Sequence, residues 1–410
     1  MRIAFHVPCG KYLELRPGGE KETSGDGMII ANLLEALRKR GHQMQIVSRL
    51  DSRDFGLGQL PARRLIAEAA LVRSAMKRFS PDAWLVYHPR VHTPDLFGWW
   101  MDPKRYVILK GGSEGDRWRL GKMPKLWRKA FSYAYRKSLK RADMIEAVSP
   151  RSVRDLQSLG VPEEKIRFLP RAIKPWSLLP CRQEARRVLG LPQEAPIVLC
   201  VSRLQLRRGE DDPLPSKTEC VLDLMRALQA LPSKVLLLVV GDGLGRPKVE
   251  EEARRLKLDG RVRLAGRVEH NDVGWYHAAC DFFAFPERHE SNRAYQSSLE
   301  AQACGRPVVL MHNDLSEVTT EPGRTGLLAR DLDEFQTHLL ALAQDRDRCD
   351  EMGRAGEAFI ARSFTIDVRA RQIEELLFGE RGVSAVEAEQ QPSVVQSRQP
   401  EVLPQERLGT

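Results

Sequence analysis

No apolar run in this chain comes near the roughly 20 residues that a helix needs to span a bilayer. The longest, Val235–Val240, is only long enough for a strand. The opening "MRIAFHVPCG" has one early Arg and a strand-like run. It lacks the long apolar stretch and small-residue cleavage site of a secretory signal, so a soluble globular protein of the cytoplasm is expected. Cysteine is also sparse, with seven residues scattered between Cys9 and Cys349, no CxxC and no Cys/His pair at zinc spacing. That spacing argues against a disulfide scaffold or a thiolate metal site, and reduced, mostly buried thiols are expected instead. There is no repeat of solenoid period, and no helix-turn-helix, RNP-like or zinc-finger pattern, so nucleic acid is not an expected partner.

What is present begins with size. At 410 residues and 42% apolar content, the chain is too long for one ordinary core and fits two domains. Lysine and arginine exceed the acids by a net +10. Much of that excess is local: Arg117–Arg141, "RWRLGKMPKLWRKAFSYAYRKSLKR", carries about ten cations, no acid, and interleaved Trp118, Trp127, Phe131, Tyr133 and Tyr135. Such a segment suits an anionic membrane surface or a polyanion. A solvated helix face with its aromatics turned inward fits the same pattern.

Short β-rich runs alternate with helical periodicity. Strands are expected at Ile3–Val7, Gln43–Ser48, Ala83–Tyr87, Tyr106–Leu109, Met144–Val148 and Ile166–Leu169, with a helix over Met28–Arg40 stopped at Gly41. The pattern breaks at the proline-rich "PRAIKPWSLLPC" and restarts with strands at Ile197–Val201, Val235–Val240, Val262–Ala265, Asp281–Phe285 and Val308–Met311. Helices near Thr218–Leu231, Lys248–Leu256, Asn271–Ala279 and Ala294–Cys304 lie between them. The expected fold is α/β, with two Rossmann-like, doubly wound domains facing a central cleft. Their expected extents are residues 1–173 and 174–365, followed by a closing helix at 366–378 that packs back on the first domain and a disordered tail at 379–410.

One stretch concentrates chemistry. In "DFFAFPERHESNRAYQSSLEAQACGRP" a buried strand runs into a polar loop and then a helix ended by Gly305, and free amides at such a helix start favour a phosphate. Glu300 lies about two turns in, some 9 Å along the axis. A carboxylate there suits the diol of a ribose attached to that phosphate; pairing with a surface cation or exposure to solvent is the other reading.

The order of motifs carries a family resemblance. "ESNRAYQSSLEAQACGRPVV" resembles the Glu-x7-Glu region of glycosyltransferase family 4. "VSRL" at Val201–Leu204, "VVGDG" at Val239–Gly243, "RVRLAGRV", "WYHAACDFFAFP" and "GRTGLL" at Gly323–Leu328 resemble further family motifs in the same order. Earlier in the chain "EAVSPRSVRDLQSLGVPEEKIRFLP" is similar to the segment ending the family's N-terminal domain. The resemblance implies a GT-B fold and a retaining, metal-independent glycosyltransferase. It would move a sugar from a nucleotide-sugar co-substrate, with no cofactor, to a glycan or lipid-linked acceptor.

By position, Arg203 and a following lysine would grip the donor diphosphate, and Glu300 would bind the ribose. Counting from Arg203 reaches Arg208, whereas counting back from "ECVLDLMRAL" reaches Lys217, which is preferred. Gly241 and Gly243, and the helix amides near Arg293, Ala294 and Tyr295, complete the expected donor site. The family's first glutamate falls on Asn292, with Glu290 two residues earlier, so either of them would face the donor sugar. Where the family often carries a histidine, "VILKGGSEGD" has Lys110; His88, ending "AWLVYH", is a candidate cleft histidine, and Gly25 and Gly27 form a glycine loop before the first helix. Asp331 and Asp345, in "DLD" and "DRD", imitate a metal motif, but the position of Asp331 suits a helix cap. Cell-envelope polysaccharide or lipopolysaccharide assembly at the inner membrane face is the expected setting. A nucleotide-sugar-binding protein with little transfer activity and a sugar-nucleotide epimerase are the alternatives.

Overall fold

A computed structural model describes residues 1–10, 25–57, 59, 61–110, 123–206, 216–287 and 295–379. The chain divides into two compact units, one holding Met1–Ala172 together with the segment from Ile366, the other holding Ile173–Thr365.

The first unit runs β1 (Arg2–His6), α1 (Gly25–Lys39), β2 (Gln43–Ser48), α2 (Ser52–Gly56), α3 (Ala62–Phe79), β3 (Ala83–Tyr87), β4 (Tyr106–Lys110), α4 (Lys125–Arg141), β5 (Met144–Ala147), α5 (Pro150–Ser158) and β6 (Ile166–Phe168). Its strands form a six-stranded parallel sheet in the order β2-β1-β3-β4-β5-β6. β3 and β4 are buried at every residue, as expected of central parallel strands covered on both faces. α1 lays Ile29, Ile30, Leu33, Leu34 and Leu37 on one face of the sheet. It ends where Gly41 takes φ +84, a left-handed turn that a side chain would resist.

That same face is completed by the last described helix, Ile366–Phe378, through Ile366, Ala370, Ile373, Leu376 and Leu377. The helix is also held by charge: Glu374 accepts from Arg40 at 2.7 Å and contacts His42 at 2.6 Å, while Arg369 pairs with the fully buried Glu146 of β5. On the other face, buried Asp95 gathers His6, the Trp84 indole and the Tyr106 hydroxyl at 2.9, 3.0 and 2.8 Å. Burial alone would raise that carboxyl; His6 and the amides of Gly98 and Phe97 outweigh it and hold it below its ordinary value.

The second unit runs α6 (Arg182–Val188), β7 (Ile197–Val201), α7 (Lys217–Gln229), β8 (Leu236–Val240), α8 (Arg246–Arg255), β9 (Val262–Gly266), α9 (His270–Ala279), β10 (Phe282–Phe285), α10 (Tyr295–Ala303), β11 (Val308–Met311), α11 (Asp314–Thr319), β12 (Gly326–Ala329), α12 (Leu332–Gln344) and α13 (Arg346–Ser363), before α14 (Ile366–Phe378) returns to the first unit. Its sheet is parallel as well, in the order β12-β11-β10-β7-β8-β9.

Two features differ from the sequence reading. β12, only four residues between a turn and a helix, adds a sixth strand that the apolar pattern did not mark. Helix α3 fills residues left unassigned between β2 and β3. Six cysteines are buried, and Cys181 alone is exposed.

Candidate functional site

In a doubly wound sheet, ligands collect beyond the strand carboxyl ends where the strand order reverses. In the second unit that point lies between β7 and β10. Arg203 lies just past β7, and Glu287, after Pro286, just past β10.

The β7 loop is fixed by the loop that follows β8. Ser202 donates its backbone N–H to the Val240 carbonyl at 2.9 Å, and Leu204 to that of Asp242 at 3.0 Å. Gly245 answers, donating to Leu204 O at 2.8 Å. This close approach requires glycine. A Cβ on Gly241 (φ +130) would lie 2.1 Å from Ser202 O, and one on Gly243 (φ +153) 2.4 Å from Leu204 O. Arg203, between two anchored residues, is therefore exposed on a rigid backbone.

Lys217 opens α7, whose start is fixed by a reciprocal cap: Ser216 Oγ accepts from Glu219 N at 3.1 Å, and Glu219 accepts from Ser216 N at 2.6 Å. Thr218 Oγ1 then donates to Gln205 O at 2.9 Å, tying this helix to the loop that carries Arg203. Lys217 is half-buried, and its charge reaches Cys200 in β7, where it opposes the burial that pushes the thiol up to about 12. Both cations thus stand on one hydrogen-bonded frame.

Glu300 is neither surface-paired nor solvated. It is 6% exposed, and Gln296 Nε2 donates to its Oε1 at 3.2 Å. Burial pushes its carboxyl up to about 7, with the Gln296 contact pulling the other way. A carboxylate held this way is poised to accept from hydroxyl donors that replace lost water.

The remaining positions divide. Tyr295 begins α10, whereas Glu290, Asn292, Arg293, Ala294 and the alternative cation Arg208 lie outside the described residues. Gly25 starts α1, and Gly27 is buried in its first turn. In the first unit, His88 and Lys110 sit at the carboxyl ends of neighbouring strands β3 and β4, both buried. Asp331 and Asp345 cap α12 and α13, accepting from Glu334 N at 2.8 Å and Arg348 N at 2.9 Å, which accounts for both Asp-x-Asp runs. Among the described residues no three His, Cys, Asp or Glu converge as a metal site.

Sequence reasoning passed over Glu287. It is 9% exposed at the strand-order reversal, and its charge, after burial, raises the Cys220 thiol. The signal was its place just past a strand's carboxyl end.

Two family profiles match the chain: "Glycosyltransferase Family 4" over residues 23–176 and "Glycosyl transferases group 1" over residues 195–345. Among curated proteins the chain is 28% identical over 251 residues to a GDP-mannose-dependent monoacylated alpha-(1-6)-phosphatidylinositol monomannoside mannosyltransferase of Corynebacterium glutamicum, a match covering 58% of this chain and 62% of that one. Among solved structures, HepE of Anabaena in complex with UDP superposes with a TM-score of 0.66 at 17% identity, covering 92% of this chain and 99% of that one. Sucrose-phosphate synthase from Thermosynechococcus elongatus gives 0.65 at 17% identity, covering 92% and 98%.

Proposed function

This chain belongs to glycosyltransferase family 4 and has the GT-B fold, and from that premise we propose that it transfers a sugar from a nucleotide-sugar to a hydroxyl of a glycan or lipid-linked acceptor, with retention at the anomeric carbon. The observation that carries this reading is the frame joining Arg203 and Lys217, with Glu300 buried in the helix beyond. As the donor bond breaks, negative charge builds on the departing diphosphate. Arg203, Lys217 and the amides opening α10 stabilise it without needing to reorganise, which is worth several kcal/mol in a water-poor site. Glu300 accepts from the ribose hydroxyls. No metal is required in this scheme, and unchanged turnover in EDTA tests that.

The acceptor reading draws on the relative's printed name, which describes a lipid-linked substrate. It also draws on the surface of α3 and α4. Trp127 and Leu65 pack with Phe55 and Phe131 in one small cluster, while Leu126 (77% exposed) and Ile66 (72% exposed) face outward among Arg63, Arg64, Lys125, Arg128 and Lys129. Of the basic segment's aromatics, Phe131 and Tyr135 are buried and Tyr133 is exposed beneath Lys137. Exposed apolar side chains with exposed cations close to them in sequence suit an anionic membrane face. No helix among the described residues is long and apolar enough to cross a membrane. We place the enzyme on the inner leaflet, in envelope glycan assembly.

The test is a panel of nucleotide-sugars with release of nucleoside diphosphate as readout. Loss of turnover in Arg203→Ala and Glu300→Ala supports the transferase. Tight donor binding with no turnover across glycan and lipid acceptors would point to a binding protein, and free epimerised sugar without an acceptor to an epimerase.

A further inference from the structure

Glu300 has its hydrogen-bond partner on its own helix. α10 follows the carboxyl end of β10, and in a helix the side chains at i and i+4 lie one above the other and lean toward the N-terminus. Glu300 therefore reaches over the turn that carries Gln296, whose Nε2 donates to Glu300 Oε1 at 3.2 Å. The acid is buried, whereas Gln296 is half-buried and one turn nearer the helix start.

The electrostatic surroundings of this pair are simple. Two influences act on the Glu300 carboxyl: burial, which raises it, and the Gln296 amide, which lowers it. Of the elements packed on α10, β10 (Phe282–Phe285) and β11 (Val308–Met311) carry no titratable side chain. α13 brings Glu357 to the far end of the helix, where Cys304 sits; burial and then Cys280 raise that thiol, Glu300 and Glu357 add to the rise, and Arg306 opposes it. A neutral amide thus stands where a buried carboxylate commonly has a cation. It supports the ionised form without cancelling the charge, so the carboxylate stays a strong acceptor.

We propose that Gln296 is the positioning residue for Glu300: by occupying Oε1 it fixes the carboxylate on the face of α10 and leaves Oε2 to the ribose hydroxyls of the donor. The role rests on the reading of Glu300 given above, and the two can fail separately. A cation in place of Gln296 would keep the acid ionised well below neutral pH, and an aliphatic side chain would leave it protonated at neutrality. The amide therefore also sets the pH at which the donor site becomes competent.

The test compares Gln296→Leu and Gln296→Lys in the full chain by two measurements. One is the titration of Glu300 in ligand-free protein, followed by ¹³C NMR of labelled glutamate carboxyls and assigned with Glu300→Gln. The other is the pH dependence of binding of the nucleotide-sugar that the donor panel selects. Leucine removes the N–H, so the Glu300 titration moves to higher pH and the pH at which the donor tightens moves up with it; affinity at pH 7 is expected to fall about tenfold. Lysine restores a donor with a charge, so both midpoints move down. A purely structural role would send the two variants the same way. Shifts in one common direction, or native midpoints in both, overturn the proposal. If Glu300→Gln binds the donor with native affinity and native pH profile, the ribose assignment of Glu300 falls and takes the positioning role with it. If Glu300→Gln abolishes the pH dependence while both Gln296 variants keep the native profile, the positioning role alone falls. A chain that binds no member of the panel sinks both.

Discussion

The carbonyl oxygen of Ser202 occupies the space that a side chain on Gly241 would need, 2.1 Å from its would-be Cβ. Gly241→Ala must therefore push the β7 loop away from the β8 loop, as well as force φ +130 on a residue with a side chain. A loss of about 2 kcal/mol or more in stability is expected. Affinity for whichever nucleotide-sugar the donor panel selects should fall with it, because Arg203 moves. Calorimetric melting together with titration of that nucleotide-sugar checks this. Alanine tolerated with unchanged affinity would mean the loop is not the rigid frame described.

Donor binding is expected to depend on pH through Glu300. Its carboxyl is raised to about 7 in the folded chain from 4.5, so the folded state holds its proton more tightly. The stability this contributes is complete below pH 4.5 and is lost as pH rises through 7, amounting to ~3 kcal/mol at most. A ribose diol favours the ionised form, so donor binding should release a proton near pH 6 and tighten toward pH 8. Calorimetry of binding of the nucleotide-sugar that the donor panel selects, in buffers of different ionisation heat, reads that proton directly, and Glu300→Gln should abolish it.

Arg369 and Glu146 form a buried pair that fastens α14 to β5. Burial raises the Glu146 carboxyl and Arg369 opposes the rise. Arg369→Met removes the only cation shown hydrogen-bonded to that buried acid among the described residues and should cost about 3–5 kcal/mol. The double variant with Glu146→Leu should recover much of the loss. Equal melting points for the single and double variants would show that the two side chains do not depend on each other.

The α3 and α4 surface predicts salt-sensitive attachment to anionic vesicles. Reversing Lys125, Arg128 and Lys129 to Glu removes about 1 kcal/mol of attraction per site, and Leu126→Asp removes apolar insertion. Co-sedimentation with phosphatidylglycerol vesicles should drop severalfold for each change. Binding that ignores both would remove the membrane from the proposal.

The two parallel sheets were legible because their central strands are unbroken apolar runs such as Ala83–Tyr87 and Val235–Val240, whose length and composition leave little choice of state. β12 was not, since Gly326–Ala329 is too short for periodicity to speak, and only pairing with β11 defines it. For the candidate site, the order of motifs located Arg203, Gly241, Gly243 and Glu300 along the chain, but nothing local says that Gly241 lies under Ser202 or that Glu300 is buried. Those facts arise where strands distant in sequence are brought side by side. The same holds for His88: its place at a strand end was readable, but the direction of Arg90 toward its Nε2 depends on the turn between them.

Cysteine burial has a practical corollary. Desolvation pushes Cys9 up to about 11 and Cys200, Cys280 and Cys349 up to about 12, and raises Cys220 and Cys304 as well, so these six carry almost no thiolate at neutral pH. Cys181, exposed at the start of α6, is left as the natural attachment point for a single maleimide dye. A reporter can be fixed to the second unit of the native chain without altering one codon.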